Sequence, residues 1–214
     1  MQLFLIVLGC LFLVALLYII FKDKIKILIV ALGNKKRLQR NLFRGCKEND
    51  YLIINDLLIK IDENKYRHID TLIFGNKYLY LVNEIVNIGI LKGNMLDNSW
   101  CLYYNDEMQL INNPFLENQR KIERIEKLID LDRSNFKSIV LVADTIKVDN
   151  IRIGSNYEYL CSEKNIIKTI KIIEKNSLEN DYDPKEVERY AKAFYLHSLE
   201  CEKELKKQKK GRKK

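Results

Sequence analysis

Three carboxylates and one hairpin carry the chemistry this sequence offers. His68–Gly89 reads as a β-hairpin: an apolar strand, a turn at Gly75–Asn76, then a strand of period-two alternation. Asp70 lies in the first strand, Glu84 in the second, and Glu117 further along. Two carboxylates on adjacent strands can share a hard cation, magnesium or manganese. A lysine two residues past the second acid stays on its face, where it can place a water or stabilise developing negative charge. Asn83-Glu84-Ile85 does not fill the acid and lysine slots in that spacing. Alternation groups Leu79, Leu81, Asn83 and Ile85 on one face and Tyr80, Val82, Glu84 and Val86 on the other. Only if such a centre is active would the catalytic set be Asp70 and Glu117, with Asp70 the metal ligand and Glu84 and Lys92 as substitutes. Each also has a plain reading. Asp70 suits a hydrogen-bonded half-buried acid, Glu84 a solvated strand charge, and Glu117 an acid favoured by a helix first turn.

The elements that must hold these residues follow from pattern and punctuation. Tyr51–Ile61 reads as a strand with a kink or turn at Asn55–Asp56, and Gly89–Gly93 and Trp100–Tyr104 as further strands. Trp100 suits core packing better than base stacking. Asn112-Asn113-Pro114 opens a helix to about Leu131, with Phe115, Ile122, Ile125 and Ile129 buried and Arg120, Lys121, Glu123 and Lys127 solvated. Lys137–Ala143 suits a buried, parallel strand. Short strands are expected at Ile151–Ile153 and Tyr157–Leu160, and a helix from Ser162–Asn165 to about Lys175. Asp183 as N-cap, Pro184 and Glu186 start a last helix that runs into the lysine-rich end.

The totals restrict function. Five cysteines (Cys10, Cys46, Cys101, Cys161, Cys201) without a C-x-x-C pair, beside two histidines, argue against zinc and for reduced thiols. The net charge of +8 is carried at the ends. Residues 22–47 hold nine Lys/Arg against Asp23, the tail 206–214 holds seven and no acid, and the body between is acidic overall. A basic groove is therefore not the expected main surface. Leu3–Phe21 is nineteen residues without a charge, long enough as a helix to cross a bilayer, and it lacks the basic n-region and small-residue site of a cleaved leader. Lys22, Lys24, Lys26, Lys35 and Lys36 follow it. The expectation is a single-pass protein of the cell membrane, N-terminus out and body cytoplasmic, these lysines resting on anionic lipid headgroups.

Residues 33 to about 175 resemble the NERD (nuclease-related) domain family of the restriction-endonuclease-like superfamily. The resemblance rests on Gly33-Asn34-Lys35-Lys36-Arg37, Ile54-Asn55-Asp56, Ile69-Asp70, Asn83-Glu84-Ile85, Gly93 and Asn113-Pro114-Phe115-Leu116-Glu117-Asn118. It implies an α/β fold, a mixed central sheet flanked by helices, here behind a transmembrane helix. Its divisions are an anchor at 1–32, the α/β domain at 33–176, and a helix with basic tail at 177–214. The family's glutamate, E-x-K glutamate, lysine and glutamine fall on Arg37, Asn83, Ile85 and Glu117, so of the catalytic letters only Asp70 persists. The resemblance with these vacated positions implies a catalytically degenerate binding or scaffold module needing no cofactor. Two alternatives stand beside it. One is a magnesium- or manganese-dependent nuclease with a rearranged site. The other is a non-cleaving nucleic-acid binder acting through the basic tail. A cytoplasmic protein partner is the remaining candidate ligand.

Overall fold

The computed structural model describes residues 2–62, 65–105, 107–129 and 131–211, except the side chains of 2–6, 8, 10, 20, 210 and 211. Among these residues nine strands form two sheets. The larger takes β1 (Leu52–Asp62), β2 (Lys65–Phe74), β3 (Leu79–Ile85), β7 (Phe136–Val142) and β9 (Glu158–Ser162), in that order. β1, β2 and β3 run antiparallel, whereas β3, β7 and β9 run parallel. The smaller sheet has the order β6 (Glu107–Asn112), β5 (Ser99–Tyr104), β4 (Gly89–Lys92), β8 (Ile146–Asp149).

Helices cover both faces of the larger sheet. α1 (Gln2–Lys47) and α3 (Ile166–Lys175) lie on one face, where Leu38, Leu42, Ile170 and Ile173 pack against Ile73, Tyr80, Val82 and Leu141. α2 (Pro114–Ile129) and α4 (Pro184–Gly211) lie on the other, with Ile122, Ile125 and Phe194 against Leu57, Leu72, Phe74 and Leu81. The fold is thus α/β, a mixed sheet between helices, consistent with a restriction-endonuclease-like core. A third cluster, of Trp100, Leu102, Phe115, Ile85 and Val140, joins the two sheets. Trp100 is fully buried and donates its indole N–H to Asn94 O at 2.8 Å.

Local chemistry explains the boundaries. Gly75 N–H donates to Tyr78 O at 2.9 Å to close the hairpin. Asn113 Oδ1 accepts the Phe115 N–H at 3.0 Å and so caps α2, and Asp183 Oδ1 accepts from Lys185 N at 2.9 Å at the start of α4. α4 belongs to the same core as the sheet: Ser198 Oγ accepts the Leu58 N–H at 2.9 Å.

Some expectations are corrected. β8 forms at Ile146–Asp149, and Ile151–Ile153 is not a strand. β6 was not expected, because its six residues alternate too weakly to stand out. α1 passes through Gly33 without a break. Lys121, expected in solvent, is only 6% exposed. Among the described residues no helix is long and apolar enough to cross a membrane. Within the transmembrane span expected at Leu3–Phe21, the side chains of 3–6, 8, 10 and 20 lie outside those described.

Candidate functional site: a gap between two strands

The hairpin opens where its acids sit. β2 and β3 pair only from Phe74↔Leu79 to Thr71↔Val82. Past that point β2 stays with β1 as far as Lys65, and β3 stays with β7 as far as Ile85. The sheet therefore splits at Asp70 and Asn83. The alternation of β1 and β2 also slips there. Ile54 and Leu57 both face α2 and α4, as do Ile69 and Leu72, although each pair is three residues apart. Asp56, at φ 53, supplies the kink. Such a left-handed residue inside a strand re-aims its neighbours, as a bulge does.

Into this gap the structure brings a specific group of side chains. The Glu84 N–H, without a partner strand, donates to Asp70 Oδ2 at 3.2 Å. Glu84 Oε1 lies 2.7 Å from the Thr71 hydroxyl, which is also 2.7 Å from Asn55 Oδ1. From α1, Gln39 Nε2 reaches Glu84 Oε2 at 3.5 Å, and Lys35 Nζ pairs with Asp56 at 3.1 Å. Burial, and then the nearby charges of Asp70 and Asp56, push the Glu84 carboxyl up to about 7; the Thr71 hydrogen bond and Lys35 oppose the rise. A cavity of about 340 Å³ continues the gap, lined by Asn83, Glu84, Asn112 and Glu117 among others. Glu117 is held there by Asn112 Nδ2 at 2.9 Å.

The other candidates go elsewhere. Arg37 turns away and pairs with Glu163 at 3.2 Å. Ile85 is buried against the cluster of Trp100 and Phe115. Lys92 bridges Asp149 at 3.0 Å on the smaller sheet, its ammonium 5.7 Å from the Tyr103 ring centre. Lys22, Lys24, Lys26 and Lys36 are exposed on α1, while Lys35 is committed to Asp56.

Sequence reading missed Lys121. It lies on the buried side of α2, one turn beyond Glu117, and the charges it feels are those of Asp70, Glu117 and Arg67. The signal was present: Asn118, Lys121, Ile122 and Ile125 share one helical stripe. Asn118 anchors that stripe, its Nδ2 donating to Leu81 O at 3.1 Å and lying 3.0 Å from Ser138 Oγ.

Among the described residues no three His, Cys, Asp or Glu side chains stand together as a ready metal cluster. Asp70 nonetheless accepts the Glu84 backbone N–H, so both acids stand at the split, and burial above all pushes the Glu84 carboxyl up to about 7. A hard cation bound through one or two carboxylates plus substrate oxygens fits that chemistry.

No curated protein and no solved structure matches the chain. The model of one family, described as the nuclease-related domain, matches residues 33–143. That span runs from the last turns of α1 to the end of β7 and includes Asp70, Glu84, Glu117 and Lys121. This chain belongs to the nuclease-related domain (NERD) family.

Proposed function

We propose that this protein is a membrane-anchored nuclease of the NERD family, its body on the cytoplasmic face, with the gap between β2 and β3 as its metal-dependent centre. One observation carries the reading: Asp70 accepts the Glu84 backbone N–H where the sheet splits, and the Glu84 side chain lines a cavity that Glu117 shares. The acid of the E-x-K stretch is then Glu84 and not Asn83, and its lysine position is Val86, which packs against the core under α1. Asp70 and Glu84 would hold magnesium or manganese. A bound cation would polarise the scissile phosphate and lower the pKa of a water. Glu117 faces the same cavity and can orient that water.

The anchor rests on the uncharged stretch Leu3–Phe21 and on the described part of α1. Leu11, Phe12, Leu13, Val14, Tyr18 and Ile19 are exposed around the whole helix. A helix apolar on every side is at home in lipid and not in water. The lysines that follow favour the cytoplasmic side.

A second reading, a degenerate module that binds without cutting, is favoured by Ile85 and Val86. Both are packed into cores where a lysine would serve the motif. A missing acid–base or charge-stabilising group commonly lowers a rate by roughly 10²–10⁴-fold. The test is degradation of single- and double-stranded DNA with magnesium or manganese by the full chain, beside Asp70→Asn and Glu84→Gln. Degradation lost in both variants is expected. A folded wild-type chain that degrades neither strand form would leave the binding module as the answer, and cleavage indifferent to both substitutions would place the centre elsewhere.

A further inference from the structure

α2 presents an ammonium that the fold does not use. Lys121 is 6% exposed, yet among the described residues its Nζ has no hydrogen-bond or ion-pair partner. Its neighbours on the helix are engaged. Arg124 donates to Lys60 O at 2.8 Å over β1, and Asn118 to Leu81 O over β3. Lys121 lies between these two anchors, on the side of α2 that faces the split in the sheet. Glu117, one turn earlier, lines the cavity. A long cationic side chain loses rotamer freedom and hydration when it is buried without a partner. Burial lowers its pKa, while the charges of Asp70 and Glu117 oppose that shift and help keep it protonated. An ammonium with no hydrogen-bond or ion-pair partner, within the field of Asp70 and Glu117, suits an anion that arrives from outside.

We propose that Lys121 is the substrate-binding cation of this centre, its ammonium engaging a non-bridging phosphodiester oxygen of the nucleic acid laid across the gap. The proposal rests on the nuclease reading and deepens it: the positive charge absent from β3 is delivered from α2. Asp70 and Glu84 are left to the cation, and Lys121 to the phosphate.

The experiment is binding of a short fluorescent single strand to the full chain in detergent with EDTA present, so that no cutting occurs. Wild type is set beside Lys121→Met, Lys121→Arg and, as a control on the exposed side of α2, Lys127→Met. Lys121→Met is expected to weaken binding about ten-fold and to flatten the slope of log K against log salt by about 0.7, the loss of one phosphate contact on a single strand. Lys121→Arg should restore most of both, and Lys127→Met should change neither. On the wild-type chain, which avoids any folding defect, the strand should protect Lys121 from amine acetylation read by mass spectrometry. Unchanged slope together with no protection would overturn the assignment. Cutting with magnesium is scored in parallel. A chain that binds through Lys121 without cutting keeps this assignment and loses the nuclease reading. A chain that cuts while Lys121→Met binds as wild type keeps the nuclease reading and loses the assignment.

Discussion

Asp70 closes what β2 leaves open: its carboxylate accepts the Glu84 N–H at 3.2 Å at the place where a strand carbonyl would otherwise sit. A side chain thus completes the backbone ladder, so the acid has a structural duty beside any chemical one. The two can be separated. Asp70→Asn keeps an acceptor and should fold with little loss. Asp70→Ala strands a half-buried N–H and should cost about 1–3 kcal/mol. Urea denaturation of both variants checks this, and equal stabilities would show that the hydrogen bond contributes nothing.

Glu84 makes stability depend on pH. Its carboxyl titrates at about 7 in the fold, against an ordinary 4.5. Between those values the native chain holds more protons than the unfolded one, so stability is complete below about 4.5 and falls as pH rises through 7. Glu84→Gln should abolish that slope. At pH 8 it should be more stable than wild type by about 2–3 kcal/mol. A divalent cation favours the charged carboxylate, so manganese uptake should release protons near neutrality and tighten between pH 6 and 8. Calorimetry in two buffers of different ionisation enthalpy measures the release.

At the opposite end of the hairpin another carboxylate holds the turn. Glu174 of α3 accepts from Asn76 N at 2.7 Å, Tyr51 Oη at 3.0 Å and Tyr80 Oη at 3.3 Å, and it is 7% exposed. A Cβ on Gly75 would strike Glu174 Oε1 and the Tyr80 ring. Gly75→Ala is therefore expected to destabilise by about 1–3 kcal/mol through overpacking. Glu174→Ala should cost more, because two buried hydroxyls and a turn N–H lose their acceptor. Thermal melts rank the two, and a Gly75→Ala chain as stable as wild type would show that the turn yields without cost.

Much of this architecture was legible in the residues. The hairpin, the buried parallel strand β7 and the caps at Asn113 and Asp183 follow from local pattern, because turn chemistry and periodicity act over a few residues. The Asn55–Asp56 kink was readable too. The split of the sheet was not: it depends on where β1 and β7 hold their partners, which no window of sequence contains. Lys121 was misread because a charged residue on a helix is ordinarily solvated, although its place on the Asn118–Ile125 stripe indicated the buried side. Arg37 shows the reverse limit. Its motif position put it among the catalytic letters of the family, yet its partner Glu163 lies 126 residues away.

The basic end of α1 makes a further claim testable. Lys22, Lys24, Lys26 and Lys36 are exposed, and Arg40 and Arg44 continue the series on the same helix. If this segment lies against an anionic leaflet, each cation contributes about 1 kcal/mol before screening. The fragment 22–214 should therefore bind vesicles rich in phosphatidylserine, bind neutral vesicles weakly, and dissociate as salt shortens the Debye length from about 10 Å at 0.1 M to about 3 Å at 1 M. If the uncharged stretch 3–21 is buried in lipid as proposed, the full chain should stay with the membrane at the salt that releases the fragment, because salt does not screen apolar burial. Lys35→Ala should leave vesicle binding nearly unchanged, because that side chain is spent on Asp56. Co-sedimentation across a salt series measures all three. Fragment binding that ignores salt would remove the electrostatic contact, and release of the full chain together with the fragment would remove the anchor.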